Sequence, residues 1–531
     1  MKRREFLKTA TGVGIAAIGL SGQIASGAKT AKRPNILFCI ADDASYPHMS
    51  AYGCPWVKSP GFDRVAADGL LFTHAYTPNA KCAPSRACLL TGRNSWQLEE
   101  AANHVCFFPK KFKTYVEALG QQGYVTGYTG KGWSPGDAGR INGKPRQLCG
   151  PAWHKRKAKP PTRAMSGKDY ASNFADFLAA KPENKPFCFW YGAHEPHRGY
   201  EYGSGVAKGK KAISDIKKVI PFYPDTETVR NDLLDYAFEI EHFDKHLQRI
   251  LKTLEEAGEL DNTLVVVTAD NGMPFPRIKG QEYELSNHLP MAIMWKNRIA
   301  KPGRKIDDYV SFIDLAATYL DVAGVSEKTS GMKPIEGKSL RGIFESSKSG
   351  CVESTRDHVL IGKERHDAGR PNNGGYPIRG IVKGDMLYLI NYEPTRWPAG
   401  NGETGYMNCD GSPTKTALLK MRGDKADDKY WQWSFGKRTS EEMYNVKKDP
   451  ACMMNLVKDP KYKQLRDKLN AQLVAELKQQ NDPRILGKGA VFDTYKFAHK
   501  HQQDYYERYM SGKASKAGWV NRSDYEPKPL D

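Results

Sequence analysis

The chain has 531 residues, of which 40% are hydrophobic and 11% aromatic, a composition that excludes a disordered chain or a coiled coil and is typical of a globular protein. Its formal net charge of +20 raises the concentration of polyanions near the surface. The sequence has no zinc-finger spacing, no basic region with heptads and no aromatic RNP motif, so we expect no nucleic-acid partner.

Residues 1–28 have the pattern of a signal peptide. Arg3 and Arg4 precede an apolar run that reaches Leu20, and small residues follow it. A twin-arginine motif before a short apolar run is typical of bacterial export signals, and the run is too short to span a membrane. We therefore expect export to the periplasm or the cell exterior, without stable membrane insertion.

Four short apolar runs predict buried strands, and each is followed by polar residues. In a doubly wound sheet the ligand site lies outside the carboxyl ends of the parallel strands, so these polar residues should converge although they are distant in sequence. The runs and their polar residues are 34–41 before Asp42 and Asp43, 124–128 before Lys131, 187–191 before His194 and His197, and 264–269 before Asp270 and Asn271.

Helical patterns separate these runs. The clearest covers 228–257, where apolar residues keep a period near 3.6. Strands that alternate with helices predict an α/β domain over residues 32–345, with a large, mainly parallel sheet flanked by helices.

The pattern changes in the C-terminal third. Residues 378–390 have the pattern of a hairpin with a Lys-Gly-Asp turn, and 462–479 that of an amphipathic helix. We expect residues 355–485 to form a smaller α+β subdomain with an antiparallel sheet. Residues 486–531, here called the tail, are polar and aromatic and are expected to wrap the surface.

The polar residues after the first and last runs form a candidate metal site. Asp42, Asp43, Asp270 and Asn271 offer three carboxylates and one amide. An all-oxygen donor set suits a hard cation rather than zinc. The prediction is one Ca²⁺ ion, with Mg²⁺ the less favoured alternative.

Cys82 differs in context from the other nine cysteines, which are scattered without CxxC or zinc spacing. Two residues after it, Pro84 can open a helix whose N-terminal dipole would favour an anion near Cys82. A plain cysteine nucleophile would need a low pKa and is usually found beside a histidine base.

The stretch 82–93 reads Cys-Ala-Pro-Ser-Arg, then Leu-Thr-Gly-Arg, and it resembles the signature of the formylglycine-dependent (type I) sulfatases of the alkaline phosphatase superfamily. The resemblance covers roughly residues 34–480. It implies an alkaline-phosphatase-like fold and oxidation of Cys82 to formylglycine (3-oxoalanine) by a formylglycine-generating enzyme. In the family the hydrated formylglycine attacks the sulfur of a sulfate ester.

The resemblance also implies roles for individual residues. Arg86 would hold the diol, and Lys131, His194 and Lys279 would surround the sulfate. Most members have a histidine two residues after the lysine that corresponds to Lys131, where this chain has Trp133. The calcium ligands implied by the resemblance are Asp42, Asp43, Cys82, Asp270 and Asn271.

Finer motifs resemble the heparan N-sulfatase (N-sulfoglucosamine sulfohydrolase) subgroup and its bacterial relatives. They are His-Glu-Pro-His-Arg at 194–198, the run 221–226, and 270–276. The resemblance implies a sulfated saccharide substrate and leaves open whether the sulfate is N- or O-linked. Candidate substrate contacts are His197, His288, Glu364, Arg365, His366 and Arg370.

Two alternative functions remain at this stage. A relative in the same superfamily could hydrolyse phosphate or phosphonate esters with this fold. Because Trp133 replaces the family histidine, the chain could also be a non-catalytic protein that binds sulfated glycans.

Overall fold

The computed structural model describes residues 32–530 and has a seven-stranded sheet at its centre. Within these residues the strands lie in the order β7-β2-β6-β5-β1-β4-β3, and only β6 runs antiparallel to its neighbours. The predicted mainly parallel α/β fold is therefore confirmed. The strands are β1 (Asn35–Ala41), β2 (Leu70–Phe72), β3 (Val125–Gly130), β4 (Phe187–Gly192), β5 (Thr263–Ala269), β6 (Met291–Met294) and β7 (Arg304–Ile306).

Helices cover both faces of this sheet. In β1, Leu37 and Cys39 face one hydrophobic core while Ile36 and Phe38 face the other, because successive side chains of a strand point to opposite faces. Helices α1, α4 and α5 pack on the first core, and α2, α3 and α6 on the second. Their bounds are α1 (Pro60–Ala67), α2 (Cys82–Thr91), α3 (Tyr115–Gln121), α4 (Tyr170–Ala180), α5 (Glu227–Glu256) and α6 (Ile313–Val322).

A second sheet is antiparallel, in the order β8-β9-β10-β11. The predicted hairpin is β9 and β10, and Gly384 in its turn has φ of +55°, a conformation that suits glycine. Helix α9 packs on this sheet through Leu469, Leu473 and Leu477. The elements are β8 (His358–Lys363), β9 (Ile378–Lys383), β10 (Met386–Asn391), α7 (Pro413–Lys420), α8 (Asp428–Phe435), β11 (Glu441–Asn445) and α9 (Lys463–Gln479).

Shorter elements connect these parts. The short helices are Ser204–Ala207, Glu284–Asn287, Glu327–Ser330, Arg341–Glu345, Val491–Thr494 and Tyr505–Met510. The short strand pairs are Ala75–Tyr76 with Val310–Ser311, Cys106–Phe107 with Gly136–Asp137, and Arg140–Ile141 with Lys144–Pro145.

Residues 33–530 belong to one compact unit, and the subdivision into 32–345, 355–485 and 486–531 stays a prediction. The predicted signal peptide, residues 1–28, lies outside the described residues. Within the described part of the chain, no helix has the length and apolar character that crossing a membrane requires. All ten cysteines are free thiols, and Cys351 alone among them is exposed.

Candidate active site

Polar residues after β1 and β5 meet at one edge of the large sheet. The two strands are parallel neighbours with Ala41 opposite Ala269, so the residues that follow them lie side by side. The backbone N–H of Asp43 donates to Asp270 Oδ1 at 3.0 Å, and Asn271 Nδ2 donates to Asp43 Oδ1 at 2.6 Å. The two pairs thus lie together, as the strand-end argument predicted.

Cys82 is the first residue of α2, a helix in which all ten residues are buried. Its Sγ atom lies 3.4 Å from Asp42 Oδ1 and 3.9 Å from Asp43 Oδ1. Burial, followed by the negative charge of Asp42, raises the pKa of the Cys82 thiol well above its usual value. A thiol in this environment stays protonated near neutral pH, so it is a poor nucleophile as it stands.

Arg86 ties the first turn of α2 to the acidic cluster. Its Nε donates to Asp270 Oδ2 at 2.8 Å, and its Nη1 donates to the carbonyl oxygens of Lys131 and Gly132, each at 2.9 Å. Lys131 in turn places its Nζ 2.6 Å from Asp42 Oδ2. Two cations are therefore fixed in place by buried partners.

Lys279 bridges the cluster to a carboxylate that the sequence did not indicate. Its Nζ lies 2.6 Å from Asp43 Oδ2 and 2.7 Å from Asp410 Oδ2, and 1% of its side chain is exposed. Although burial opposes it, Asp410 and Asp43 hold the pKa of Lys279 well above its usual value. The ammonium group stays charged in this site.

His194 follows β4 and contacts a second residue that the sequence did not indicate. Lys168 Nζ donates to His194 Nε2 at 3.2 Å. Burial, and then the charge of Lys168, lowers the pKa of His194 to about 4, so the imidazole is neutral near pH 7 in the free protein. His197 Nε2 lies 3.9 Å from Asp43 Oδ2.

The acidic cluster has the donor set of a hard cation. Asp42, Asp43, Cys82 and Asp270 bring one potential ligand atom each within 4.8 Å of one another. Asn271 Oδ1 is buried and has no hydrogen-bond partner among the described residues. Burial raises the pKa of Asp270 to about 7, and repulsion by the charge of Asp42 contributes less. A divalent cation with oxygen ligands would relieve this repulsion and engage the orphaned amide oxygen.

These groups open into a cavity of about 730 Å³, within the roughly 300–1,000 Å³ of small-molecule sites. Six predicted site residues line it: Asp42, Cys82, Lys131, His194, His197 and Lys279. The same cavity is also lined by a buried cluster and by part of the tail, namely Lys81, His104, Asp367, His499, His501, Gln502 and Trp519. The tail was expected to wrap the surface, and four of its residues also form a wall of this cavity. The histidine pair and the tryptophan in a polar segment were the available signal for that wall.

The other candidate substrate contacts do not line this cavity. In place of a polar surface loop, the chain after β8 is buried, because its charges find partners inside the protein. Glu364 pairs with Arg379 at 2.7 Å and with Arg484 at 2.6 Å. Further on, His366 Nε2 lies 2.9 Å from Asn79 Oδ1, and Arg370 Nε donates to the carbonyl of Trp397 at 3.0 Å.

His288 and Arg365 are likewise engaged within the protein. The His288 ring stacks on Tyr46 at 3.9 Å, and its Nδ1 lies 2.6 Å from Glu284 Oε1. Arg365 Nη1 donates to the carbonyl of Tyr495 at 2.6 Å, and its guanidinium lies 3.8 Å from the ring centre of Phe497. Arg365 thus anchors the tail where a sugar contact was predicted.

Trp133 lies beside the first turn of α2, outside the residues that line the cavity. Its Nε1 donates to the carbonyl of Ala83 at 3.0 Å, and its ring meets Phe108 edge-on at 5.2 Å. An indole N–H has no basic lone pair, so Trp133 braces α2 and cannot accept a proton.

Comparison with known proteins gives consistent matches. A curated relative from Formosa agariphila, "Ulvan-active sulfatase", is 27% identical over 466 residues, covering 85% of this chain and 81% of that protein. Human "N-sulphoglucosamine sulphohydrolase" is 26% identical over 501 residues, covering 87% and 93%. The solved structure of BT4656 with its substrate D-glucosamine-2-N,6-O-disulfate shares the fold, with a TM-score of 0.60, 22% identity, and coverage of 85% and 99%.

The family model named Sulfatase matches residues 34–325. This match spans more than half of the 531 residues and includes Cys82 and the acidic cluster. The chain belongs to the sulfatase family.

Proposed function

We propose that this protein is a hydrolase that releases sulfate from a sulfated saccharide, using formylglycine made from Cys82 and one calcium ion. The observation that carries this proposal is the Cys82 thiol, which is buried, lines the cavity, lies 3.4 Å from Asp42 and has a raised pKa. A thiol so poorly suited to attack is better explained as the precursor of another nucleophile. Its conversion would require a formylglycine-generating enzyme.

Formylglycine would supply an oxygen nucleophile for attack at sulfur, and calcium bound by Asp42, Asp43, Asp270 and Asn271 would supply positive charge beside the sulfate oxygens. The chain's own cations contribute in the same direction. Arg86, Lys131 and Lys279 are held by buried carboxylates before any substrate arrives. Losing one such preorganised group typically costs about 10²- to 10³-fold in rate.

His194 is the proposed proton donor to the leaving oxygen. It is neutral near pH 7 in the free site because burial and Lys168 lower its pKa. A sulfate ester in the cavity brings a negative charge that favours the protonated imidazole. General acid catalysis of this kind contributes roughly 10²- to 10⁴-fold.

The proposed substrate class is a sulfated glycan or saccharide. The named relatives act on ulvan and on N-sulphoglucosamine, and the net charge of +20 favours polyanions through long-range attraction. The bond cleaved is either an O-sulfate ester or an N-sulfate.

Mass spectrometry and a substrate panel test this function together. Peptides from active protein should carry the thiol-to-aldehyde change at Cys82, and Cys82→Ala should be inactive. Nitrophenyl sulfate, nitrophenyl phosphate and sulfated saccharides are compared in parallel. Faster phosphate turnover would favour the phosphoesterase alternative, and binding without turnover by fully converted protein would favour the non-catalytic one that Trp133 suggests.

We also propose that residues 1–28 direct export by the twin-arginine route to the periplasm or beyond. Arg3 and Arg4 followed by a short apolar run support this. Replacing both arginines with lysine should retain the protein in the cytoplasm in a fractionation assay. Unchanged export of that variant would contradict the proposal.

A further inference from the structure

One wall of the cavity comes from the tail and not from the large sheet. His499, His501, Gln502 and Trp519 line the same cavity as Cys82. The volume of about 730 Å³ has room for roughly two dozen water molecules at about 30 Å³ each, as many as a disaccharide has non-hydrogen atoms. That is the size of a disaccharide and more than a single sugar ring requires.

We propose that this tail wall is a second sugar subsite, so that the cavity binds a sulfated saccharide of at least two rings. The sulfated ring lies at Cys82 and the adjoining ring lies against Trp519. The inference rests on the proposed function and adds the length of the substrate and the residues that select it.

Trp519 is held in place before any ligand binds. Its Nε1 donates to the carbonyl of Met407 at 3.0 Å, and its own carbonyl accepts from the Gly411 N–H at 2.8 Å. Its ring packs on a small core that includes Phe497 and Tyr505. An indole fixed in this way offers a broad apolar surface to the C–H face of a sugar ring with little loss of side-chain freedom.

Gln502 adds a polar side chain to the tail wall. It is buried with 5% of its surface exposed, and its Oε1 has no hydrogen-bond partner among the described residues. Buried polar atoms are nearly always hydrogen-bonded. This oxygen is closed off from the cavity as well as from solvent, so a hydroxyl of the sugar stacked on Trp519 would reach it once the side-chain amide turns toward the cavity.

The two tail histidines extend the polar part of the subsite. The rings of His499 and His501 stack with their centres 5.5 Å apart. Imidazole N–H groups donate hydrogen bonds to oxyanions. The adjoining ring is therefore expected to carry a carboxylate or a second sulfate.

The tail itself is attached at several points. The Ala498 N–H donates to the carbonyl of Val105 at 2.8 Å, and Arg365 holds the carbonyl of Tyr495 and the ring of Phe497. The wall is thus a fixed part of the cavity, which makes single substitutions in it interpretable.

The test compares Trp519→Ala with Trp519→Phe in full-length converted enzyme, using nitrophenyl sulfate and sulfated disaccharides prepared from heparin and from ulvan. Trp519→Ala should lower kcat/KM for the disaccharide that wild type cleaves best by about tenfold or more, which corresponds to ~1.4 kcal/mol. Its kcat/KM for nitrophenyl sulfate should stay within twofold, and Trp519→Phe should keep most of the disaccharide activity. The matched control is Tyr509→Ala, which removes a tail aromatic that does not line the cavity.

Equal losses on both substrates, or no loss on either, would overturn the subsite. A binding measurement distinguishes failure of the subsite from failure of the proposed function. Titration calorimetry measures the affinity of inactive Cys82→Ala protein for the same disaccharides. If wild type releases no sulfate, the function fails. The subsite still stands if Trp519→Ala in that background weakens disaccharide binding tenfold, and it falls if binding is unchanged.

Discussion

Lys279→Met should cost both stability and activity, because Lys279 is the cation between two buried carboxylates. Its Nζ lies 2.6 Å from Asp43 and 2.7 Å from Asp410. Burial opposes the charge, yet the two carboxylates raise the pKa of Lys279. The substitution keeps an unbranched side chain as far as Cε, with sulfur in place of Cδ, and removes the ammonium group.

The magnitude follows from the geometry. At 2.6–2.7 Å and an effective dielectric constant of about 20, each pair is worth ~6 kcal/mol of Coulomb energy. The cost of desolvating the ions offsets much of this sum, and breaking a buried pair typically lowers the free energy of unfolding by about 3–5 kcal/mol. Loss of one preorganised cation should lower kcat by about 10²- to 10³-fold.

Urea unfolding in the presence of a chelator measures the stability of the variant, and nitrophenyl sulfate hydrolysis measures its activity. Lys81→Met is the matched control, because Lys81 is equally buried and pairs with Asp367 at 2.6 Å. It should destabilise to a similar extent with a smaller loss of rate on this small substrate. A change below about 1 kcal/mol for Lys279→Met, or equal rate losses for the two variants, would refute the reasoning.

Three further predictions concern the metal site, a surface histidine and His194. Chelation should lower the temperature of unfolding and Ca²⁺ should restore it, since a ligand at 100 times its Kd adds about 2.7 kcal/mol of stability. Asp270→Asn should abolish this shift in unfolding temperature. A wild-type protein whose unfolding temperature does not depend on Ca²⁺ would contradict the metal site. Although burial opposes it, Glu476 and Asp357 raise the pKa of His358, so this stabilisation is present at low pH and is lost as the pH rises through the folded-state pKa. His358→Gln should therefore lower the free energy of unfolding by about 1 kcal/mol near pH 6 and by less near pH 9, and equal costs at both pH values would count against the pair. Lys168→Met should raise the pKa of His194 from about 4 without restoring its usual value, because the imidazole stays buried. A histidine-selective NMR titration measures this pKa, and an unchanged pKa in the variant would contradict the role of Lys168.

Local patterns in the sequence predicted much of the fold. The residues of β1 and β5 are all buried, and such strands appear in sequence as short continuous apolar runs. Helix α5 keeps its period over 30 residues and was predicted within one residue at each end. The convergence of Asp43 with Asp270 followed from the parallel direction of their strands.

The sequence could not predict contacts made through irregular segments. Lys168 and Asp410 reach the site from loops without periodicity, so no spacing rule brings them to His194 and Lys279. Glu364 was predicted to contact substrate from a surface loop, since a charged residue is usually exposed, but it is buried. Here two arginines neutralise it inside the protein, and pairing overrides the preference for the surface.

The residues that line the cavity are synthesised at different times during translation, because they are far apart in the sequence. At about 5–20 residues per second, synthesis needs roughly 20–90 s to proceed from Cys82 to Trp519. Lys279, Asp410 and the tail, which line the same cavity as Cys82, all emerge within that interval. A modifying enzyme working on the nascent chain would therefore meet Cys82 before the cavity is complete. Slower translation downstream of residue 82 would lengthen this period and raise the fraction of converted protein.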